Sequence, residues 1–359
     1  MIRLPVSVGE AVDKLTILDI KCRKISDPEK LAHCIVERDA LRDELGQYVS
    51  DHPFYYRLLY HINNEIWTIQ DAFRQAPTAE ACVQILDKND MRFRIKSLLN
   101  NLTNSHLREQ KGYPKRRAFV LHHLGLGDHV CMVGAVRYIA LQHDETVVVC
   151  KKANARNVAA LFADDPSIKL EILGEVFSYD TTGYTNVYIS GEHAGIYHNW
   201  GDFPMCFYDD MKMDRSIRYT YFHVPDTPAS HVLYTHVKDI PYNFVHQTFA
   251  GNGGGVIRSM VTWDINDVFT IEPNINLYPE GHPWHALAET FVDRPFLDYS
   301  EIIRHAKEVH VVNSSFYCLA AHLDLDASVA RCYSRYTGEY DPTWSFKPTD
   351  RTAPSLPPA

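Results

Sequence analysis

The chain has 359 residues, 45% of them hydrophobic and 23% charged, which is enough apolar side chain for two or three cored domains. A formal net charge of -9 speaks against a nucleic-acid binder and leaves Lys115, Arg116 and Arg117 to read as a solvated linker. No apolar run reaches the roughly 18 to 20 residues of a membrane helix. The N-terminus meets Glu10 and Asp13 before any signal-type apolar core, and eight scattered cysteines without a CxxC pair read as buried thiols in a cytoplasmic protein.

Residues 1–112 read as helical throughout. Ser7 with Glu10 three residues later makes a capping-box pattern, with Val6 and Ala11 as its hydrophobic staple. Val8, Val12, Leu15, Leu18, Cys22 and Ile25 then recur at spacings of three and four and form one apolar helix face. Asp27-Pro28 restarts the chain as an N-cap followed by proline, and Leu31, Ile35, Leu41 and Leu45 continue the stripe. The two helices are expected to form an antiparallel hairpin through Ser26-Asp27. Further helices are predicted over 54–74, 78–87 and 89–108.

At Gly112–Arg117 glycine, proline and basic residues interrupt the helical pattern, and Ala118–Leu121 opens a strand, which marks a domain boundary. Strands are predicted at 118–122, 146–150, 168–173 and 186–190, with helices at 129–141 and 154–163. A second unit starts near Pro241: strands 243–246, 268–271, 309–312 and 328–332, helices 283–291, 299–306 and 316–323, and a glycine-rich loop Gly251–Gly255. This alternation is α/β grammar, with parallel sheets covered by helices on both faces. The proline-rich tail 352–359 reads as disordered.

Two strand-to-helix turns carry residue types suited to chemistry. In His122-His123-Leu124-Gly125-Leu126-Gly127-Asp128, Gly125 and Gly127 let the backbone turn tightly beneath a ligand. Asp128 reads either as a carboxylate capping the following helix or as a general base for an attacking hydroxyl, with His122 and His123 beside it. In Asn313-Ser314-Ser315 the hydroxyls and backbone N–H groups suit an anion, or equally a plain helix cap. His246 closes the strand 243–246, and Arg258 follows seven residues after Gly251. Gly251–Gly255 reads as a phosphate cradle or a surface loop, and Glu272-Pro273-Asn274 as facing a nucleotide's ribose or base. Tyr278–Trp284 reads as a helix-initiating turn with a packed tryptophan, in preference to a cleft-lining turn with an aromatic platform. His282 and His285 have no third ligand, and Asp324-Leu325-Asp326 reads as a solvated turn, so no metal site is expected.

The stretch Asn313-Ser314-Ser315-Phe316…Ala320-Ala321-His322-Leu323 resembles the C-terminal donor-site motif of alpha-1,2-fucosyltransferases. It is also similar to the Asp-Ser-Gly…His-Leu-Ala-Ala motif of the ADP-heptose heptosyltransferases, with Asn313 in place of the aspartate. Gly125-Leu126-Gly127-Asp128 resembles those enzymes' N-domain loop, whose aspartate is the assigned base. After His246 the fucosyltransferase arginines are replaced by Gln247-Thr248-Phe249-Ala250, which leaves the sugar open. The resemblance spans about 117–335 and implies the glycosyltransferase-B fold. That is an α/β chain of two Rossmann-like domains, 117–235 on the acceptor side and 236–350 on the nucleotide-sugar side, preceded by an all-α helical domain, 1–112.

The implied function is transfer of a sugar from a nucleoside-diphosphate sugar to a glycan or other hydroxyl acceptor, inverting and metal-independent, with no cofactor beyond the donor. It assigns catalysis to Asp128 and His123 and donor binding to Gly125, Gly127, His246, Arg258, Asn313, Ser314 and Ser315. The Val8–Leu18 stretch resembles small helical domains of unknown function, suited to self-association or partner binding; Arg23, Arg38 and Arg42 there have no supporting motif. Two rival readings are a nucleotide-sugar epimerase or hydrolase of the same fold, and a non-catalytic scaffold working through the helical region.

Overall fold

The structure, a computed structural model of the chain, describes residues 4–112, 114–174, 178–196, 203–249, 255–256 and 267–347. Arg258, the loop 251–254 and the tail 352–359 lie outside the described residues.

Four helices come first: α1 (Val8–Lys24), α2 (Pro28–Asp51), α3 (Pro53–Gln75) and α4 (Ala79–Leu102). The caps are those the sequence spells. Ser7 Oγ accepts from Glu10 N at 3.2 Å, and Asp27 accepts from the N–H groups of Glu29 and Lys30. The Glu10 side chain does not close the expected box; it takes Lys96 Nζ at 2.5 Å, and Val6 is exposed rather than stapled. The two helices expected over 78–108 are one, because nothing between Leu86 and Met91 breaks the pattern. That helix stops at Leu102, where Asn104 enters the left-handed region (φ 51°) and Ser105 N–H returns to Asn100 O at 2.9 Å. The stripe expected along α2 faces inward: Leu45 is buried and Leu31, Ile35 and Leu41 are half-buried.

The α/β part follows in two sheets. The first contains β1 (Arg117–Leu121), β2 (Glu145–Lys151), β3 (Ile168–Leu173) and β4 (Asn186–Ile189), in the order β3-β2-β1-β4 and parallel throughout. Between β1 and β2 the predicted single helix divides at Met132 into α5 (Leu126–Cys131) and α6 (Val133–Ala140); α7 (Ala155–Leu161) links β2 to β3. Three short helices, α8 (Met205–Asp210), α9 (Ile217–Thr220) and α10 (Pro228–Thr235), lead to the second sheet.

There β5 (Tyr242–His246) is followed by the hairpin β6 (Thr248–Phe249) and β7 (Gly255–Val256), then β8 (Phe269–Ile271), α11 (His285–Glu289), α12 (Ser300–Arg304), β9 (Glu308–Val312), α13 (Ser315–Ala320) and β10 (Val329–Tyr333). The order β10-β9-β5-β8 is again parallel. Phe119, Val120, Leu121, Phe244, Val245 and Val309 are fully buried, as central strands covered on both faces require.

In each sheet the strand order reverses beside the first strand: between β1 and β4 in one, between β5 and β9 in the other. Open parallel sheets bind ligands outside the carboxyl ends of strands at such switch points. The turns after β1 and β9 are the two that the sequence singled out.

Gly134 lets α6 lie on the backbone of α9, since a Cβ there would stand 2.7 Å from the carbonyl oxygens of Ile217 and Arg218. Gly134→Ala is therefore expected to cost on the order of 1–3 kcal/mol, read as a lowered melting temperature, because backbone rather than a mobile side chain must give way. An unchanged melt would show that the two helices separate without cost.

Candidate functional site

The first turn leaves β1 at Leu121. His122 is fully buried, its Nδ1 lies 2.6 Å from His123 O, and its ring meets buried His129 edge-on at 4.5 Å. Burial pushes the His122 imidazole down to about 4 and that of His129 well below the usual range, so both are neutral packing groups. The His123 ring is set 5.2 Å from Phe207 and 6.4 Å from His193. The described lining of the cleft below does not include it.

Asp128 sits in the first turn of α5, and its Oδ2 accepts the Gly125 N–H at 3.2 Å, the acidic half of a capping box. Burial pushes its carboxyl up to about 6, against the pull of that N–H and of the more distant charges of Arg335 and Lys151. It is thus ionised at neutral pH yet close enough to neutrality to take a proton. Asp128 Oδ2 holds the turn while the carboxylate lies at the cleft wall.

The second turn is built by two neighbouring strands. β5 ends on His246, whose Nδ1 is 3.0 Å from Ser314 Oγ and whose Nε2 is 3.1 Å from Thr248 Oγ1. Asn313 Oδ1 accepts the Arg335 N–H at 2.9 Å, which follows from the register that pairs Val312 with Tyr333. Ser314 makes no side-chain cap bond to α13, so its hydroxyl is not spent on the helix it precedes.

These two turns are in contact. A Cβ on Gly127 would lie 3.1 Å from Cys318 Sγ and 3.4 Å from Ser315 Cα, so α5 packs closely on α13 there. Around this contact opens a cleft of about 1610 Å³ walled by both sheets. Gly125, Gly127, Asp128, His246, Asn313, Ser314 and Ser315 all line it, together with Lys151, Arg156, Arg294 and Arg335. Sequence reasoning missed these four cations, which belong to no motif. Only strand register, which sets the residues after β10 beside those after β9, could have pointed to Arg335.

Glu272 does not face the cleft as expected: it is buried, and its carboxylate accepts the N–H groups of Asn274 and Ile275 at 2.7 Å each. Asn274 reaches the cleft instead. Tyr278 and Trp284 pack against Phe269, and Asp324 and Asp326 pair with Lys347 and His305, a packed turn and a solvated one. Arg42 is paired with Asp19, Arg38 with Asp39, and Arg23 with the Tyr60 hydroxyl. No group of three or more His, Cys, Asp or Glu among the described residues is placed to hold a metal ion. No described helix is long and apolar enough to cross a membrane.

No protein-family model matches the chain, and no curated protein matches it. The solved structures that resemble it include two of TibC: the iron-containing dodecameric glycosyltransferase from enterotoxigenic E. coli, and the heptosyltransferase in complex with ADP-D-beta-D-heptose. Their identities are 16% and 14%, each with a TM-score of 0.44 over 68% of this chain. The chain spans under two thirds of their length, 65% and 64%.

Proposed function

We propose that the protein is a nucleotide-sugar glycosyltransferase of the two-Rossmann-domain type, inverting and metal-independent, acting in the cytoplasm, where its eight free thiols stay reduced. One observation carries this reading: a carboxylate pushed up to about 6 lines the same cleft as Ser314 and Arg335, at the switch points of two parallel sheets. Asp128 takes the proton from an acceptor hydroxyl, and the oxygen attacks the anomeric carbon. The bond from that carbon to the diphosphate breaks, and the nucleoside diphosphate leaves with the electron pair. Ser314 and cleft-lining cations such as Arg335 and Lys151 hold the charge it carries away.

A thermal-shift series over GDP-, UDP-, ADP- and dTDP-sugars, with and without EDTA, tests the reading. The matching donor should raise the melting temperature by linkage in both conditions. No shift with any donor would count heavily against an enzyme of this kind. Donor altered or hydrolysed without acceptor would favour the epimerase or hydrolase. Arg335→Ala should raise the KM for that donor by about tenfold, the loss of one charge-assisted contact to a phosphate. An unchanged KM would remove Arg335 from the donor site.

A further inference from the structure

A chain of five side chains runs along the carboxyl edge of the second sheet: Glu272, Asn274, Thr248, His246 and Ser314. Its polarity follows from what each atom can do. Asn274 Nδ2 lies 3.3 Å from Glu272 Oε1 and 2.6 Å from Thr248 Oγ1. The Glu272 carboxylate accepts backbone N–H groups from Asn274, Ile275 and Gln247, so it accepts here too, and the atom facing it is the amide nitrogen. The second amide hydrogen then goes to Thr248 Oγ1, whose own proton is left for His246 Nε2 at 3.1 Å. An imidazole that accepts at Nε2 and is kept neutral by burial, at about 3, carries its hydrogen on Nδ1. That Nδ1–H donates to Ser314 Oγ at 3.0 Å, while Phe316, 4.6 Å away, holds the ring in place.

Ser314 thereby has an acceptor lone pair occupied and its proton uncommitted. It makes no cap bond and lines the cleft. We propose that Thr248 and Asn274 are positioning residues that lock His246 in the Nδ1–H tautomer and so commit the Ser314 hydroxyl as a donor to the phosphate oxygens of a nucleoside diphosphate. A hydroxyl free to rotate serves donors and acceptors alike; one with its acceptor side engaged favours a group that only accepts, as a phosphate oxygen does. The proposal rests on the donor reading of this edge given above.

The test is a long-range proton–nitrogen spectrum of the full chain labelled with 15N-histidine, with His246 identified by its loss in His246→Gln. Wild-type protein should show a pyrrole-type Nδ1 and a pyridine-type Nε2. Thr248→Val should move His246 toward the other tautomer and weaken binding of inorganic pyrophosphate by about tenfold, and Thr248→Ser should restore both. An Nε2–H tautomer in the wild type overturns the relay whether or not the valine variant folds. A tautomer unmoved in folded Thr248→Val does the same, and in either case pyrophosphate binding still supports the donor site. A tautomer that responds as expected in a protein that does not bind pyrophosphate overturns the phosphate role, and with it the donor reading.

Discussion

Asp128→Asn is expected to lower turnover by roughly a hundredfold or more, the usual contribution of a general base, while leaving donor affinity within a few-fold. Its effect on stability should run the other way. The carboxyl is pushed up from 3.8 to about 6, so the folded state disfavours the charged form. This cost is absent below the unfolded value and complete once the pH passes about 6; at about 1.4 kcal/mol per unit it amounts to roughly 3 kcal/mol. Asparagine keeps an oxygen for the Gly125 N–H and carries no charge, so the variant should melt no lower than wild type at pH 8, and a few degrees higher if the cost is fully recovered. The kcat/KM profile of the wild type should fall on the acid side with an inflection near the Asp128 value, and the residual activity of Asp128→Asn should lack that limb. A variant with normal turnover and a lowered melt would show that Asp128 is only a helix cap.

The largest loss of stability is expected from Asp164→Ala. Asp164 accepts Arg137 Nη2 at 2.6 Å and the Tyr55 hydroxyl at 2.5 Å, which ties α3 of the helical region to the first sheet unit; the Arg137 and Asp164 side chains are 4% and 8% exposed. Phe54 stacks on His223 at 4.4 Å beside them. Burial alone would raise the Asp164 carboxyl, but Arg137 and His223 outweigh it and hold the group well below the ordinary range.

Removing the carboxylate leaves a buried guanidinium without its counter-charge, which typically costs about 3–5 kcal/mol. A melting temperature lower by roughly 10 °C would register this. Because the folded value is depressed, the carboxylate's contribution is present above the unfolded range near pH 4 and drains away below it. Wild-type stability should therefore decline on acidification more steeply than that of Asp164→Ala. Replacing both partners, Arg137→Met with Asp164→Leu, should recover much of the loss; failure to do so would mean that the pair itself, not the stranded charge, supports the junction.

Most elements were legible in the sequence because their causes are local. Caps such as Ser7 and Asp27 act within three residues, and apolar runs such as Phe119–Leu121 and Val309–Val312 announce buried parallel strands. Gly125, Gly127, Asp128 and Asn313–Ser315 stood out in the sequence as strand-end turns, and the structure sets them along one cleft. What the chain does beyond its own turn was not legible. Helix α4 ran past an expected break, and of the α2 stripe only Leu45 is buried. Glu272 spent its carboxylate on backbone N–H groups, and Arg335 lines the cleft from a position that no motif marked.

By itself, then, the sequence determined two parallel α/β units behind a helical region and marked two turns between strand and helix. Only the tertiary structure decided that those turns touch, that burial lifts Asp128 to about 6, and that His246 joins Ser314 across 68 positions. The reason is physical. Backbone preference acts over a few residues, whereas desolvation, charge and hydrogen-bond polarity depend on neighbours that strand order brings together from distant parts of the chain.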